Sequence, residues 1–285
     1  MKLYQNSRMK NNKMNRTAQK KDGYVLQGIS LFYTGFLIIL PVLAITVKAF
    51  QGGGCNLWEN ITLPQASHAL ILTFAVAAIM VIINVITGTA TAWVLVRYRF
   101  PLKNLMNSMI DLPFAIPTVV TGVMLVVLYG PKGLIGGFLE HNGMQIIFEK
   151  PAILLALLYV TFPFVVRSVQ PVLLEMERDM EEAAKTLGAT PSKIFFKIVM
   201  PTLTPAIITG AALSFSRAMG EFGSIAIVAG NIPFKTQVAS VYIYGELESN
   251  NQQGALGVSV FLLLCSLFIL ILLNIIKNKK RTNEN

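Results

Sequence analysis

The apolar residues of this chain fall in long runs rather than short alternations, and the polar residues collect in the links between them. Six runs stand out, at about 28–49, 67–96, 112–128, 152–166, 205–229 and 255–276. A hydrocarbon core of about 30 Å calls for about 20 apolar residues in a helix that satisfies its own backbone, and most of these runs have that length. The expected fold class is therefore an all-α integral membrane protein of about six transmembrane helices. The third run holds Pro113 and Pro117, which lack a backbone donor and are expected to kink it, as suits a span that lines a path. The fourth run is the shortest, although residues 171–174 extend it.

The links carry the charge. Seven Lys and Arg lie in the Asn-rich segment 1–24, three in 97–103, five in 167–197 and four in 277–281. Lys132, Lys150 and Lys235 are left for the opposite side, with Lys48 near an edge and Arg217 inside a run. Positive links are retained on the cytoplasmic side, so both termini are expected there. The resulting organisation is a basic tail over 1–24, a first transmembrane helix over 28–49, a membrane core over 67–276 and a second tail over 277–285. A cleaved leader fits the first run poorly, because such an apolar region has only about 7 to 15 residues.

Composition agrees with a lipid setting, at a mean hydropathy of +0.59 with 13% charged residues. The net charge of +10 would raise nucleic acid as a partner of a soluble protein, but here its distribution is topological and no nucleic acid is expected. Lipid is the expected surrounding. Cys55 falls in an outer loop and Cys265 inside an apolar run, so no disulfide between them is expected. His68 and His141 lie near run ends without a ligand cluster, so neither a metal site nor a catalytic residue is expected. Asp111, at the start of the third run, is read as a helix cap.

Between the fourth and fifth runs lies the most informative stretch, EMERDMEEAAKTLGATPSKIFFKIVMPTLTP from Glu175. It is too polar to cross a membrane. Residues 177–187 favour a helix, and Gly188 stands where a helix ends and the chain turns with positive φ. Thr190 is placed to cap a second helix that has Pro191 in its first turn, with Ile194, Phe195, Ile198 and Val199 on one face and Lys193 and Lys197 toward water. Two amphipathic helices on the inner leaflet are the plainer reading; a docking surface is the sharper one. With Glu182, Ala183, Ala184, Gly188, Ile198 and Pro201, the stretch resembles the EAA loop of ABC importer permeases, Met200 standing where that pattern usually has Leu. Residues 175–203 would then be the ATPase-coupling loop. The chain from about His68 to Ile276 resembles the MetI-like transmembrane domain of binding-protein-dependent importers.

That resemblance implies a permease that turns closure of two cytoplasmic ATPases into alternating access. The chain has no G-x-x-x-x-G-K-[ST] phosphate loop, so it is expected to bind no cofactor and to be no enzyme by itself, with ATP and Mg²⁺ used by the partner ATPase.

The fifth run contains SFSRAMGEFG from Ser214, which places Arg217 and Glu221 four residues apart in an apolar helix. Near mid-bilayer an Arg exposed to lipid costs at least about 2.5–3.5 kcal/mol, so it must face protein or water. An internal ion pair and a role on a transport path are both open. Ser214, Ser216 and Ser224 offer donors, though such residues also pack helices.

Four wider stretches sharpen the resemblance: RYRFP from Arg97, DLPFAIPTVVTG from Asp111, SRAMGEFG from Ser216 and AGNIPFKTQVASVYIYGELE from Ala229. Together they resemble the T-type permeases of sulfate/thiosulfate ABC importers. The resemblance implies a W-type permease partner in a heterodimer, a homodimer of ATPase subunits, an extracytoplasmic sulfate-binding protein, and an inner or plastid membrane. A molybdate/tungstate permease is the alternative, since it shares a version of the Arg217–Gly223 stretch. An ion-coupled secondary anion carrier would leave the Glu182–Pro201 stretch unexplained. The loop 231–248 is expected outside, meeting a binding protein, closing an outer gate, or lying at headgroup level with Tyr242 and Tyr244.

Overall fold

The computed structural model describes residues 26–282 and is all helix, without strands, among those residues. The segment 1–24 and the last residues, 283–285, lie outside the described part. The chain divides into two compact units, Met1–Gly54 and Cys55–Asn285.

In the first unit, α1 (Leu26–Phe50) covers the expected first span with two residues to spare at its start and one at its end. It contains a wide turn over Gly35–Ile39, and it exposes Leu31, Phe32, Phe36, Leu43 and Val47. A helix of this length with apolar side chains all round is suited to hydrocarbon and not to water.

The second unit opens within α2 (Gly54–Thr62) and continues with α3 (Pro64–Arg97), a 34-residue helix that extends the expected second run by three residues at its start and one at its end. The third run departs from expectation. It starts nine residues earlier and is built of two arms, α4 (Lys103–Ala115) and α5 (Thr118–Tyr129), whose axes turn by 114°. The cause is local: Ile116 precedes Pro117 and is pushed into extended backbone (φ −88, ψ 128), and Pro117 follows extended too. Pro113 sits in the short turn Leu112–Ala115 and contributes an interruption of α4 at Asp111 rather than the main bend. After α6 (Leu134–His141) comes α7 (Lys150–Glu175), continuous through Pro163 and Pro171 and through Arg167, which the charge count had placed in the cytoplasmic link. The fourth span is thus as long as the others.

A short helix, α8 (Asp179–Thr186), precedes α9 (Pro191–Met219). The second helix of the polar stretch and the fifth span are therefore one element, joined through a wide turn at Phe195–Val199. That element ends at Met219, ten residues before the expected limit at 229, and Gly220 leads into the separate α10 (Gly223–Val228). α11 (Ala239–Glu248) and α12 (Gln252–Thr282) complete the chain, the last remaining helical through residues 277–282, expected as tail. Among the described residues, five helices are long and apolar enough to cross a membrane, and six spans result if the bent pair is one.

α3 and α9 both pack on α7, α5 packs on α10, and α12 closes against α9 and α11. One apolar cluster joins Ala69, Met80, Leu157, Met219 and Tyr242; a second, toward the α3–α8 end, joins Leu95, Val166, Leu173, Val199 and Leu203. Tyr242 is thus a core residue, 2% exposed, and not a headgroup anchor, while Tyr244 keeps half of its surface. Burial, with Glu246 one turn on, pushes the Tyr242 phenol up to about 12. Both cysteines are free.

Candidate functional site

Two regions hold the candidate residues. The first is the α8–α9 loop. α8 begins with Asp179, Glu181 and Glu182 and ends with Lys185, a charge order that follows the helix dipole. None of its residues is buried: Glu182 and Ala183 are exposed, Ala184 is half-covered, and Leu187, just past the end, is 87% exposed. Gly188 turns the chain at φ +81, a left-handed value that any side chain would strain. Thr190 stands at the cap position before Pro191, yet its hydroxyl makes no capping bond. In the wide turn of α9, Ile194, Phe195 and Ile198 are half-buried and Val199 is fully buried, whereas Lys193, Lys197 and Pro201 are exposed. The apolar face of α9 thus turns to the bundle, while Glu182 and Ala183 stay exposed, Glu182 lining a cavity shared with Trp93 and Arg97.

The second region lies where α9 stops. Arg217 is in the last turn of α9 and not in mid-helix, because the helix begins at Pro191 and breaks at Gly220. Arg217 Nη2 and Glu221 Oε2 lie 2.7 Å apart, with side chains 34% and 1% exposed. The other carboxylate oxygen of Glu221 accepts from the Ser224 amide at 3.0 Å and the Ser224 hydroxyl at 2.8 Å. A buried carboxylate costs several kcal/mol unless it is paired and hydrogen-bonded, and both oxygens here are answered. The Glu221 carbonyl accepts from the Ser240 hydroxyl at 2.6 Å, fastening the break to α11. Ser214 is buried and donates to the Thr161 carbonyl at 3.3 Å. The Ser216 hydroxyl is buried without a partner among the described residues. So the structure brings Arg217, Glu221 and Ser224 together and turns Ser214 into helix packing.

The break at Gly220 adjoins the break at Pro117. A methyl group on Gly223 would lie 3.1 Å from the Val119 amide nitrogen and would also strike the Thr118 hydroxyl. Only a residue without Cβ permits α10 to approach the first turn of α5 so closely. The two irregular backbones therefore share one neighbourhood beside the Arg217–Glu221 pair.

Three polar clusters escaped the sequence reading. Arg167 donates to Asp111 through Nε (2.8 Å) and Nη2 (2.5 Å), and to Asn107 and Gln170 through its remaining donors. Asp111 is accordingly a salt-bridge partner and makes no capping bond. Arg97 pairs with Glu181. The loop 231–248 is tied to α3 by Gln65 to Gln237 (2.8 Å) and by the Ala239 amide to the Thr73 hydroxyl (2.9 Å). The available signal was a charged or amide residue inside or beside an apolar run, but its partner is dozens of residues away in each case.

The model of the family of binding-protein-dependent transport system inner membrane components matches residues 84–282. The probable sulfate transport system permease protein cysT of Mesostigma viride is 45% identical over 250 residues, covering 88% of this chain and 93% of that one. The sulfate transport system permease protein CysT of Synechocystis sp. is 39% identical over 257 residues, 90% of each chain. Among solved structures, a bacterial ABC transporter involved in the import of the acidic polysaccharide alginate superposes with a TM-score of 0.75 at 15% identity, over 92% of this chain and 98% of that one. The MetNI methionine ABC transporter, in an inward-facing form, gives 0.59 at 17% identity, over 76% and 96%. At such identities the likeness is one of fold.

Proposed function

The chain belongs to the family of binding-protein-dependent transport system inner membrane components, and on that premise we propose that it is the sulfate-translocating permease subunit of an ATP-driven importer. The likeness to sulfate permeases along nearly the whole chain carries this reading. Thiosulfate, a tetrahedral oxyanion of the same charge, is included in the substrate class.

Energy enters from separate subunits, since the sequence has no phosphate loop for ATP and Mg²⁺. The ATPase dimer docks on α8, where the exposed Glu182, Ala183 and half-covered Ala184 offer a small face beside the turn at Gly188, with the half-buried Ile198 and exposed Pro201 of α9 completing the loop. A second permease subunit of W type completes the pathway, and an extracytoplasmic sulfate-binding protein delivers the anion on the side of the 231–248 loop. Both termini are cytoplasmic in this arrangement, by the Lys and Arg bias.

Arg217 supplies the charge. Its guanidinium is held on one side by Glu221 and keeps a third of its surface open, so it presents directed donors to an oxyanion while the carboxylate behind it tempers the attraction. An anion bound too tightly would not leave, and a paired arginine meets both needs. The breaks at Pro117 and Gly220 place irregular backbone next to this group, as suits segments lining a path through a membrane.

The test is uptake of radiolabelled sulfate by cells lacking their own sulfate importer, supplied with this chain and its ATPase, W-type and binding-protein partners. ATP-dependent uptake that excess molybdate barely inhibits is expected. Stronger inhibition by molybdate than by unlabelled sulfate would overturn the substrate assignment and leave the permease in place.

A further inference from the structure

The helix α8 poses a mechanical question. It is eight residues long with no buried side chain, and a helix that short does not hold itself in water. Its position must come from contacts at its edges. The end of α3 makes one of them. Arg97, the last residue of α3, is only 9% exposed and pairs with Glu181 in the first turn of α8. Its guanidinium carbon lies 5.3 Å from the centre of the Trp93 ring. Trp93 in turn meets Phe195 of α9 edge-on, ring centres 5.4 Å apart. A spacing of four puts Trp93 and Arg97 on one face of α3, so the last turn of that helix touches both halves of the loop. The two contacts bound a cavity of about 440 Å³, which Tyr98 and Arg178 also line.

We infer that Arg97 is a positioning residue that transmits displacement of α8 into the membrane core by way of α3. This rests on the reading of α8 as the ATPase-facing surface. A surface ion pair would slip under load, being worth about 0–1 kcal/mol. Arg97 is nine-tenths covered, and separating it from Glu181 would leave a buried charge without a counter-ion. Moving the two together is therefore easier than parting them. The helix they move runs 34 residues, and at about 1.5 Å per residue it reaches across the core. Near its other end Gln65 bonds Gln237 and Thr73 bonds the Ala239 amide, so the same rod touches the 231–248 loop. A push at α8 thus arrives at the opposite face through a single rigid element.

The experiment uses the assembled importer in proteoliposomes, measuring sulfate uptake and ATP hydrolysis on the same preparation. Glu181→Gln and Arg97→Met are expected to lower the sulfate moved per ATP by about tenfold, the size of a lost interaction between contacting residues, while hydrolysis continues. The exchanged pair, Arg97→Glu with Glu181→Arg, is expected to recover part of that loss. Uptake that stays proportional to hydrolysis in both single variants overturns the proposal. A second arm leaves the pair intact: Tyr98→Cys with Arg178→Cys, in a chain whose Cys55 and Cys265 are replaced, is joined by a short reducible thiol cross-linker. Transport is expected to continue, because the contact persists through the cycle; loss of uptake that reduction restores overturns the proposal. An unmodified complex that moves sulfate without ATP would instead overturn the permease reading beneath it.

Discussion

Each charge in the core of this protein is answered by a partner, and the quality of the answer differs from pair to pair. Arg167 uses its donors on Asp111, Asn107 and Gln170, so it has little left to offer a passing anion. Arg217 is the opposite case. Glu221 is fully buried and bonded by Ser224, whereas Arg217 stays a third exposed and meets the protein through one nitrogen. Hydrogen bonds to a charged group are worth about 1.5–3 kcal/mol, so Arg217→Leu is expected to lower sulfate uptake by at least about tenfold. Assembly should survive if Glu221→Gln accompanies it, since the neutral amide no longer needs a counter-ion. The measurement is uptake beside the amount of assembled complex recovered from membranes. Restored uptake in the double variant would show that the guanidinium only balanced Glu221 and never met the substrate.

Among the elements, the broken ones set the geometry around the proposed path. α4 and α5 meet at 114° beside the gap between α9 and α10, with Gly223 packed on the start of α5. Gly223→Val must displace α5 or α10, and overpacking of this kind costs about 1–3 kcal/mol. The expected outcome is a chain that inserts but melts at lower temperature and transports less; unchanged thermal stability of the detergent-purified complex would mean that the two breaks yield freely. The sequence shows why such features are only partly legible. Run length reported α1, α3 and α12 closely, because these helices are apolar over most of their length. It misjudged the fifth span by ten residues or more at each end, because hydropathy does not register that a polar amphipathic helix continues into an apolar one, nor that Gly220 stops it inside the run. Pro163, Pro171 and Pro205 stay within helices while Pro117 breaks one, a difference that depends on neighbours re-satisfying the freed carbonyls. The Gly188 turn and the Glu-Ala-Ala pattern were visible as local signals. The partners of Arg97, Arg167 and Gln237 were not, since pairing across 84, 56 and 172 positions is a property of the packed bundle.

For the whole molecule, if α8 is the docking surface, a segment with no buried side chain of its own must act on the transmembrane bundle. α8 follows α7 through a link in which Met176 is buried, leads into α9 through the turn at Gly188, and is pinned to α3 by Glu181. Those three neighbours include the long helices that pack on one another in the core, so in the proposed docking role a contact on α8 would bear on all of them. Glu182 is the exposed residue directly after the pinned one. Reversing its charge should therefore affect docking without touching the bundle: Glu182→Lys alters no buried contact, and an exposed substitution of this kind changes stability by no more than about 0.5 kcal/mol. The variant is expected to insert and to assemble with its W-type partner at normal levels, while sulfate uptake falls and any residual ATP hydrolysis loses its dependence on loaded binding protein. Comparing hydrolysis with and without the sulfate-loaded binding protein separates this from a simple loss of folding. Normal uptake by Glu182→Lys would remove α8 as the docking surface, and with it the route by which ATP closure reaches Arg217.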